Sequence, residues 1–275
     1  MAIRVEGRRL CAVALLIALI PAIGIFGTPA HYSVPVAIVL TLAQLVLIGS
    51  AALGLIVPAW RSGDDRRRQI AIAGVLAILP WALLTLMPGY GPPFASNLAM
   101  NHIRFVILFV STALLGSAFL LLKDPLAQGG DHLLAPLGQA AGLLATLIQL
   151  VWASIMIGWT MSEAHKPASF VEMYNSPLGN ASDVLLFFAG LMTYVATIFF
   201  APSFARVGWL GRGKAGAMAA VAAIAVIGLI GRGLQYPDLS DDWYTMPGMI
   251  VGIPAIPWLM PYMLGVSALF KASAD

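Results

Sequence analysis

Residues 34–60, VPVAIVLTLAQLVLIGSAALGLIVPAW, run for 27 positions without an Asp, Glu, Lys or Arg. A bilayer core needs roughly 20 apolar residues per helix, so this one stretch is long enough to cross and too apolar to sit on a water-facing surface. It is not isolated. No Asp, Glu, Lys or Arg occurs from Leu10 to Trp60, from Gln69 to Ile103, or from Gln139 to Ser162. Across 275 residues 60% are hydrophobic and only 10% charged, which leaves too little polar surface for a soluble domain of this length.

In lipid a helix satisfies its own backbone hydrogen bonds and an isolated strand cannot, and period-two alternation is absent. The apolar runs therefore read as helices: Leu10–Phe26, Val34–Trp60, Gln69–Met87, Phe105–Leu122, Leu133–Thr160, Val184–Ala205, Ala215–Gly231 and Pro247–Phe270. The expected fold class is an all-α, polytopic transmembrane bundle of eight spans, a single membrane domain over 1–275. The Gly-containing segment KDPLAQGGDH at 123–132 is a candidate division into two four-helix halves, although the halves show no convincing repeat.

Sorting the basic residues checks this count. With the N-terminus inside, Arg4, Arg8, Arg9, Arg61, Arg66, Arg67, Arg68, Lys123, Arg206, Arg212, Lys214 and Lys271 fall on cytoplasmic segments, and only Arg104, Lys166 and Arg232 fall outside. Twelve and three account for all 15, the asymmetry expected of an inner or plasma membrane protein with both termini cytoplasmic, a bacterial inner membrane being the expected setting. The rival reading of Met1–Arg9 and the first run as a signal peptide lacks an A-x-A site before the next span. The net charge of +3 comes from clusters beside apolar runs without interleaved aromatics, so it marks topology, not nucleic-acid binding. Cys11 is the only cysteine, which excludes an intrachain disulfide and CxxC chemistry and reads as a packed thiol.

Candidate ligand-binding residues gather on the external loops. His31, His102 and His165 lie there, with Tyr32, Tyr90, Tyr174, Tyr236 and Tyr244, and the acids include Glu163, Asp241 and Asp242 beside Trp243 and Tyr244. Such an acidic, aromatic cap suits a cation, a polar small molecule or a partner domain, while an aromatic belt at headgroup level is its plainer reading. The three histidines could supply imidazoles to a metal or a haem iron, but no HxxxH or HExxH fixes two ligands on one helix face. Arg104 in NHIR could pair with a carboxylate, a propionate or a phosphate, or simply snorkel to headgroups.

The last span carries Pro254, Pro257 and Pro261, and each removes a backbone donor, so an interrupted helix is expected there. The seventh, AGAMAAVAAIAVIGLIG at 215–231, has small-xxx-small spacing at Gly216/Ala220 and Ala219/Ala223, which favours close packing within the bundle or against a partner subunit. Gln44, Gln139, Gln149, Thr193 and Tyr194 are the polar groups expected in the spans, as interhelical glue. There is no Walker A loop, G-x-S-x-G elbow or dinucleotide fingerprint, and no catalytic residue is assigned. Three function classes stay open: a protein that binds a small molecule from the external side and could transport it, a haem-, quinone- or pigment-bearing or accessory subunit of a respiratory or photosynthetic complex, and an enzyme acting on lipids or isoprenoids.

Overall fold

The computed structural model describes residues 2–18, 34–84, 98–163, 177–233 and 255–274. These form helices α1 (Ala2–Ile17), α2 (Val34–Arg61), α3 (Asp65–Leu84), α4 (Leu98–Gln128), α5 (Leu134–Glu163), α6 (Pro177–Arg206), α7 (Arg212–Gly233) and α8 (Ala255–Ala272), with no strand among the described residues. Among the described residues six segments are long and apolar enough to cross a bilayer: Leu42–Arg61, Asp65–Leu84, Asn101–Gln128, Leu134–Met161, Pro177–Arg206 and Arg212–Gly231. The chain is a multi-pass membrane protein. Its outward side chains agree, since Leu10, Val46, Leu147, Ile224 and Ile227 are all more than half exposed, a cost in water that lipid removes.

Helices that follow one another pack side by side from α3 to α6, and α8 closes the circle by packing on both α6 and α3. The five surround a common interior. The α1–α2 pair leans on α8 and α3, whereas α7 packs on α6. The α1 and α8 helices run antiparallel: Arg8 donates to the Ser273 carbonyl near one end, and the Tyr262 hydroxyl donates to the Leu15 carbonyl at 2.8 Å further along.

The turns at the Asp131 end follow directly from sequence. Gly63, Gly130 and Gly208 take positive φ (71°, 99° and 70°) just past a helix, a conformation that glycine reaches without a Cβ clash. After α4, Asp131 N–H donates to Leu126 O and Gly130 N–H to Ala127 O; after α6, Trp209 N–H donates to Phe204 O and Gly208 N–H to Ala205 O. Both are Schellman closures, and the Phe204 and Trp209 rings, 5.0 Å apart, supply the apolar contact that accompanies one. The next helix starts at once. Asp64 Oδ1 accepts from Arg66 N–H at 2.9 Å, and Asp131 Oδ1 accepts from the N–H groups of Leu133 and Leu134, which caps α3 and α5. The Gly-containing segment at 123–132 is mostly helix: α4 continues to Gln128 and the connection is tight.

The structure bears on three further expectations. From Ala255 the last helix is continuous. Pro257 sits in its first turn, where a missing N–H has no helical partner to lose, and only Pro261 breaks the ladder, at the Pro257 carbonyl. Pro254 lies outside the described residues. Close backbone packing within the bundle is at Gly74 of α3 and Gly265 of α8: a Cβ on Gly74 would lie 2.9 Å from Gly265 O, and one on Gly265 would lie 2.8 Å from Gly74 O. On α7, Gly216 and Ala220 are exposed and nothing lies within 4 Å of the Cβ position of Gly216. The helix instead buries Ala222, Ala225 and Leu229 at helical spacing, in a cluster with Leu191 and Tyr194 of α6. Third, Arg104 does not snorkel. It is 5% exposed and its Nη1 donates to Asn101 Oδ1 at 3.3 Å. Cys11 packs as expected, with Sγ 2.7 Å from where a Gly54 Cβ would stand.

Candidate functional site

Buried polar side chains concentrate on α4, α5 and α6. Along α4 they are Asn101, Arg104, Ser111 and Thr112; along α5, Thr146, Gln149 and Thr160; along α6, Ser182, Thr193, Thr197 and Ser203. In an apolar medium each needs a partner, so the pairing reveals which are structural. Most hydroxyls donate to the carbonyl one turn back: Thr112 to Leu108 O at 2.7 Å, Thr146 to Gly142 O at 2.8 Å, Thr193 to Ala189 O at 2.8 Å and Thr197 to Thr193 O at 3.1 Å. Gln44 donates across to the Ala18 carbonyl and Gln139 to Leu120 O at 3.4 Å, the interhelical role expected of both.

Ser111 Oγ, on a fully buried residue of α4, has no hydrogen-bond partner, and neither does Gln149 Nε2. Gln149 is 4% exposed. An unmet buried donor of this kind costs about 1–3 kcal/mol. It faces a crevice shared with Thr112 and Leu115 of α4, Thr146 of α5, Thr193 of α6 and Trp258 of α8. The interstitial space totals about 170 Å³ and is nowhere wide enough to seat a water molecule. Thr112 lies about 16 Å along α4 from Asn101, at roughly 1.5 Å per residue, and Gln149 about 22 Å along α5 from Leu134. Both residues stand near the midpoints of their helices.

Aromatic pairs bound the crevice along the bundle. Toward Asn101, Phe105 of α4 meets Trp152 of α5 edge to face at 5.8 Å. Toward Asp131, Phe119 of α4 stacks on Phe200 of α6 at 5.7 Å with 11° between the planes. The lower pair owes its place to α5. A Cβ on Gly142 would come 2.5 Å from the Phe119 ring and one on Gly138 would come 2.9 Å from Phe200. Only glycine lets both rings lie against the helix there. The spacing Gly138-x-x-x-Gly142 is the sequence signal for this arrangement, shorter than the small-residue run of α7. Thr112 and Thr146 carried no comparable signal, because a threonine in a span reads the same whether it faces lipid, a neighbour or a cavity.

Above the Phe105–Trp152 pair, the Asn101 end carries a cluster of polar side chains. The Thr160 hydroxyl donates its one proton to Ile157 O at 2.7 Å, so its 2.8 Å contact with His102 has the ring Nδ1–H as donor. In the neutral ring this leaves Nε2 as the acceptor. Ser182 Oγ approaches Met156 Sδ at 3.5 Å, and Asn101 with Arg104 completes this end.

At the opposite end stands the one carboxylate with a fully buried side chain among the described ion pairs. Asp131 Oδ1 accepts from Arg206 Nη1 at 3.3 Å as well as from the α5 cap. Burial pushes its carboxyl up, but the Ser203 hydroxyl, the N–H groups of Leu134 and Leu133 and the Arg206 charge outweigh that and hold it below the usual carboxylate range.

Of the residues singled out from sequence, His102 stands against Thr160 of α5, Arg104 against Asn101 of its own helix, Glu163 is the last residue of α5, and Pro257 and Pro261 are buried in α8. His31, His165, Asp241, Asp242, Trp243 and Tyr244 lie outside the described residues. Among the described residues no group of three His, Cys, Asp or Glu is placed to hold a metal ion. Comparison of the chain with protein-family models, with curated proteins and with solved structures finds no match.

Proposed function

We propose that this chain is an eight-span inner-membrane protein with both termini in the cytoplasm, and that it binds a small molecule from the external side and passes it along α4, α5 and α6. One observation carries the reading. The Gln149 carboxamide nitrogen is buried without a partner near the midpoint of α5, in a polar crevice between the Phe105–Trp152 and Phe119–Phe200 pairs. A bundle built only for stability would fill that position with an apolar side chain, since an unmet donor is a standing loss. A buried donor without a partner among threonine hydroxyls is a group that a polar solute could meet when the helices part. Orientation draws support from the sorting of basic residues and from the Arg8–Ser273 contact, which brings α1 and α8 together near their outermost ends.

The reading is testable without knowing the ligand, because Cys11 is the only native thiol. In a Cys11→Ser background, Thr146→Cys and Thr193→Cys should react with the small neutral reagent methyl methanethiosulfonate about tenfold faster than the packed-core control Leu122→Cys, a difference of about 1.4 kcal/mol in opening. Attaching a bulky impermeant maleimide to His102→Cys from outside should slow that reaction. Rates equal to the Leu122→Cys control, or indifferent to the block at residue 102, remove the proposal.

A further inference from the structure

At the Asp131 end of the bundle, the turn from α2 to α3 gathers positive charge beside an outward aromatic ring. Residues 61–68 carry Arg61, Arg66, Arg67 and Arg68 against Asp64 and Asp65, an excess of two positive charges. Both acids are already engaged, Asp64 with Arg67 at 3.5 Å and Asp65 with Arg68 at 3.2 Å, and Arg66 donates to the Pro125 carbonyl at 2.9 Å. Arg61, in the last turn of α2, is exposed beside Trp60, itself 54% exposed. A tryptophan open to this extent at the end of a span belongs at the headgroup level, where its ring meets lipid and its N–H meets water.

Arg68 is held in place. Its guanidinium carbon lies 5.9 Å from the Trp60 ring centroid, its Nη2 donates to the Trp60 carbonyl at 3.3 Å and its Nη1 to Asp65 Oδ1 at 3.2 Å. Each Nη carries two protons, so one on each remains for a further acceptor. A guanidinium fixed in this way loses less freedom on binding than an arginine that must first be ordered. Behind this layer both helices turn apolar side chains outward. Val57 and Leu53 stand about 4.5 and 10 Å from Trp60 along α2, and Ile72 about 6 Å from Arg68 along α3, at roughly 1.5 Å per residue. All three are exposed.

We propose that the outer side of the α2–α3 hairpin binds one anionic phospholipid, its phosphate between Arg61 and Arg68 and an acyl chain along Val57, Leu53 and Ile72. Charge selects the headgroup. The oxygens of a phosphate diester match the guanidinium fork, whereas the ammonium of a zwitterionic headgroup would meet two arginines and find both acids of the turn engaged. Basic residues at a membrane surface do not by themselves make such a site. Arg212 and Lys214 at the start of α7 are also exposed, but Gly211 and Gly213 flank them and Trp209 is buried, so they attract an anionic surface without a ring to hold one lipid.

Phosphatidylglycerol and phosphatidylcholine with the same acyl chains are titrated into the full chain in a neutral detergent, and native mass spectrometry counts the bound lipid. The first phosphatidylglycerol should bind about tenfold more tightly than phosphatidylcholine. Arg61→Gln and Arg68→Gln should each weaken phosphatidylglycerol about fivefold, the effect of one basic residue at an anionic surface, and leave phosphatidylcholine unchanged. The double variant Arg212→Gln/Lys214→Gln should stay within about twofold of the parent. Comparing the two lipids within each variant cancels any general loss of stability, and Arg61→Gln, at an exposed position, carries the test should Arg68→Gln fail to fold. Equal affinity for the two lipids in the parent, or a loss in Arg212→Gln/Lys214→Gln as large as in Arg61→Gln, would overturn the site. Inorganic phosphate that displaces the lipid at equal concentration would overturn it too, because the site would then recognise an anion without its chains.

Discussion

Two buried polar residues divide the molecule's chemistry. Gln149 keeps an unmet donor in the interior, whereas Asp131 at the other extreme gathers three partners on its Oδ1, the N–H groups of Leu133 and Leu134 and the Arg206 guanidinium. Asp131 thus reads as structural: it caps α5, pairs with Arg206 and ties that turn to α6. Its folded pKa is depressed, so the stability it adds is fully present above the unfolded value of about 3.9 and is lost as pH falls through the folded value. At neutral pH, Asp131→Ala should cost about 1–2 kcal/mol by thermal unfolding in detergent, and Asp131→Asn, which still caps, should cost less. The advantage of the parent over Asp131→Asn should shrink as the buffer is taken from pH 5 to about 3. An undiminished difference at low pH would mean that the charge contributes nothing.

Among the elements, glycines with similar surroundings in sequence have opposite roles. Gly74 and Gly265 let the α3 and α8 backbones touch, Gly138 and Gly142 seat the Phe119–Phe200 pair, and Gly216 faces open space. Gly74→Ala or Gly265→Ala should destabilise by about 1–3 kcal/mol, because the neighbour is backbone and cannot turn aside. Gly216→Ala should be neutral or stabilising by up to about 1 kcal/mol through helix propensity. Equal losses at Gly74 and Gly216 would contradict this packing. Helix ends also differ from the apolar runs in a consistent way. Expected spans stopped at the first charge, yet α4 reaches Gln128 beyond Lys123 and Asp124, and α6 starts at Pro177 well before Val184. Hydrophobicity measures what lipid demands, whereas backbone hydrogen bonding continues into the headgroup layer as long as propensity and caps permit.

For the whole molecule, the proposed orientation puts the turns after α2, α4 and α6 on the cytoplasmic side. Alkaline phosphatase fused after residue 130 or 210 should be inactive, and active after residue 92 or 170, since the enzyme needs an oxidising exterior. Activity after 130 together with silence after 170 would invert the molecule and place the Asn101 end inside. The α3–α4–α5–α6–α8 circle depends on α8 returning between α6 and α3, a contact far apart in sequence.

Composition alone was enough to establish a multi-pass helical membrane protein, because burying charge in lipid is so unfavourable that its absence over long runs has one explanation. The glycine–aspartate turns were equally local: SGDD at 62–65 and GGD at 129–131 carry a C-cap and an N-cap side by side. The site was not legible in this way. Gln44, Gln139 and Gln149 look alike as letters in apolar runs, and what separates them is whether a carbonyl of another helix stands within reach. That is decided by how the helices pack, since the partner of a buried polar group in lipid is supplied from elsewhere in the chain or not at all.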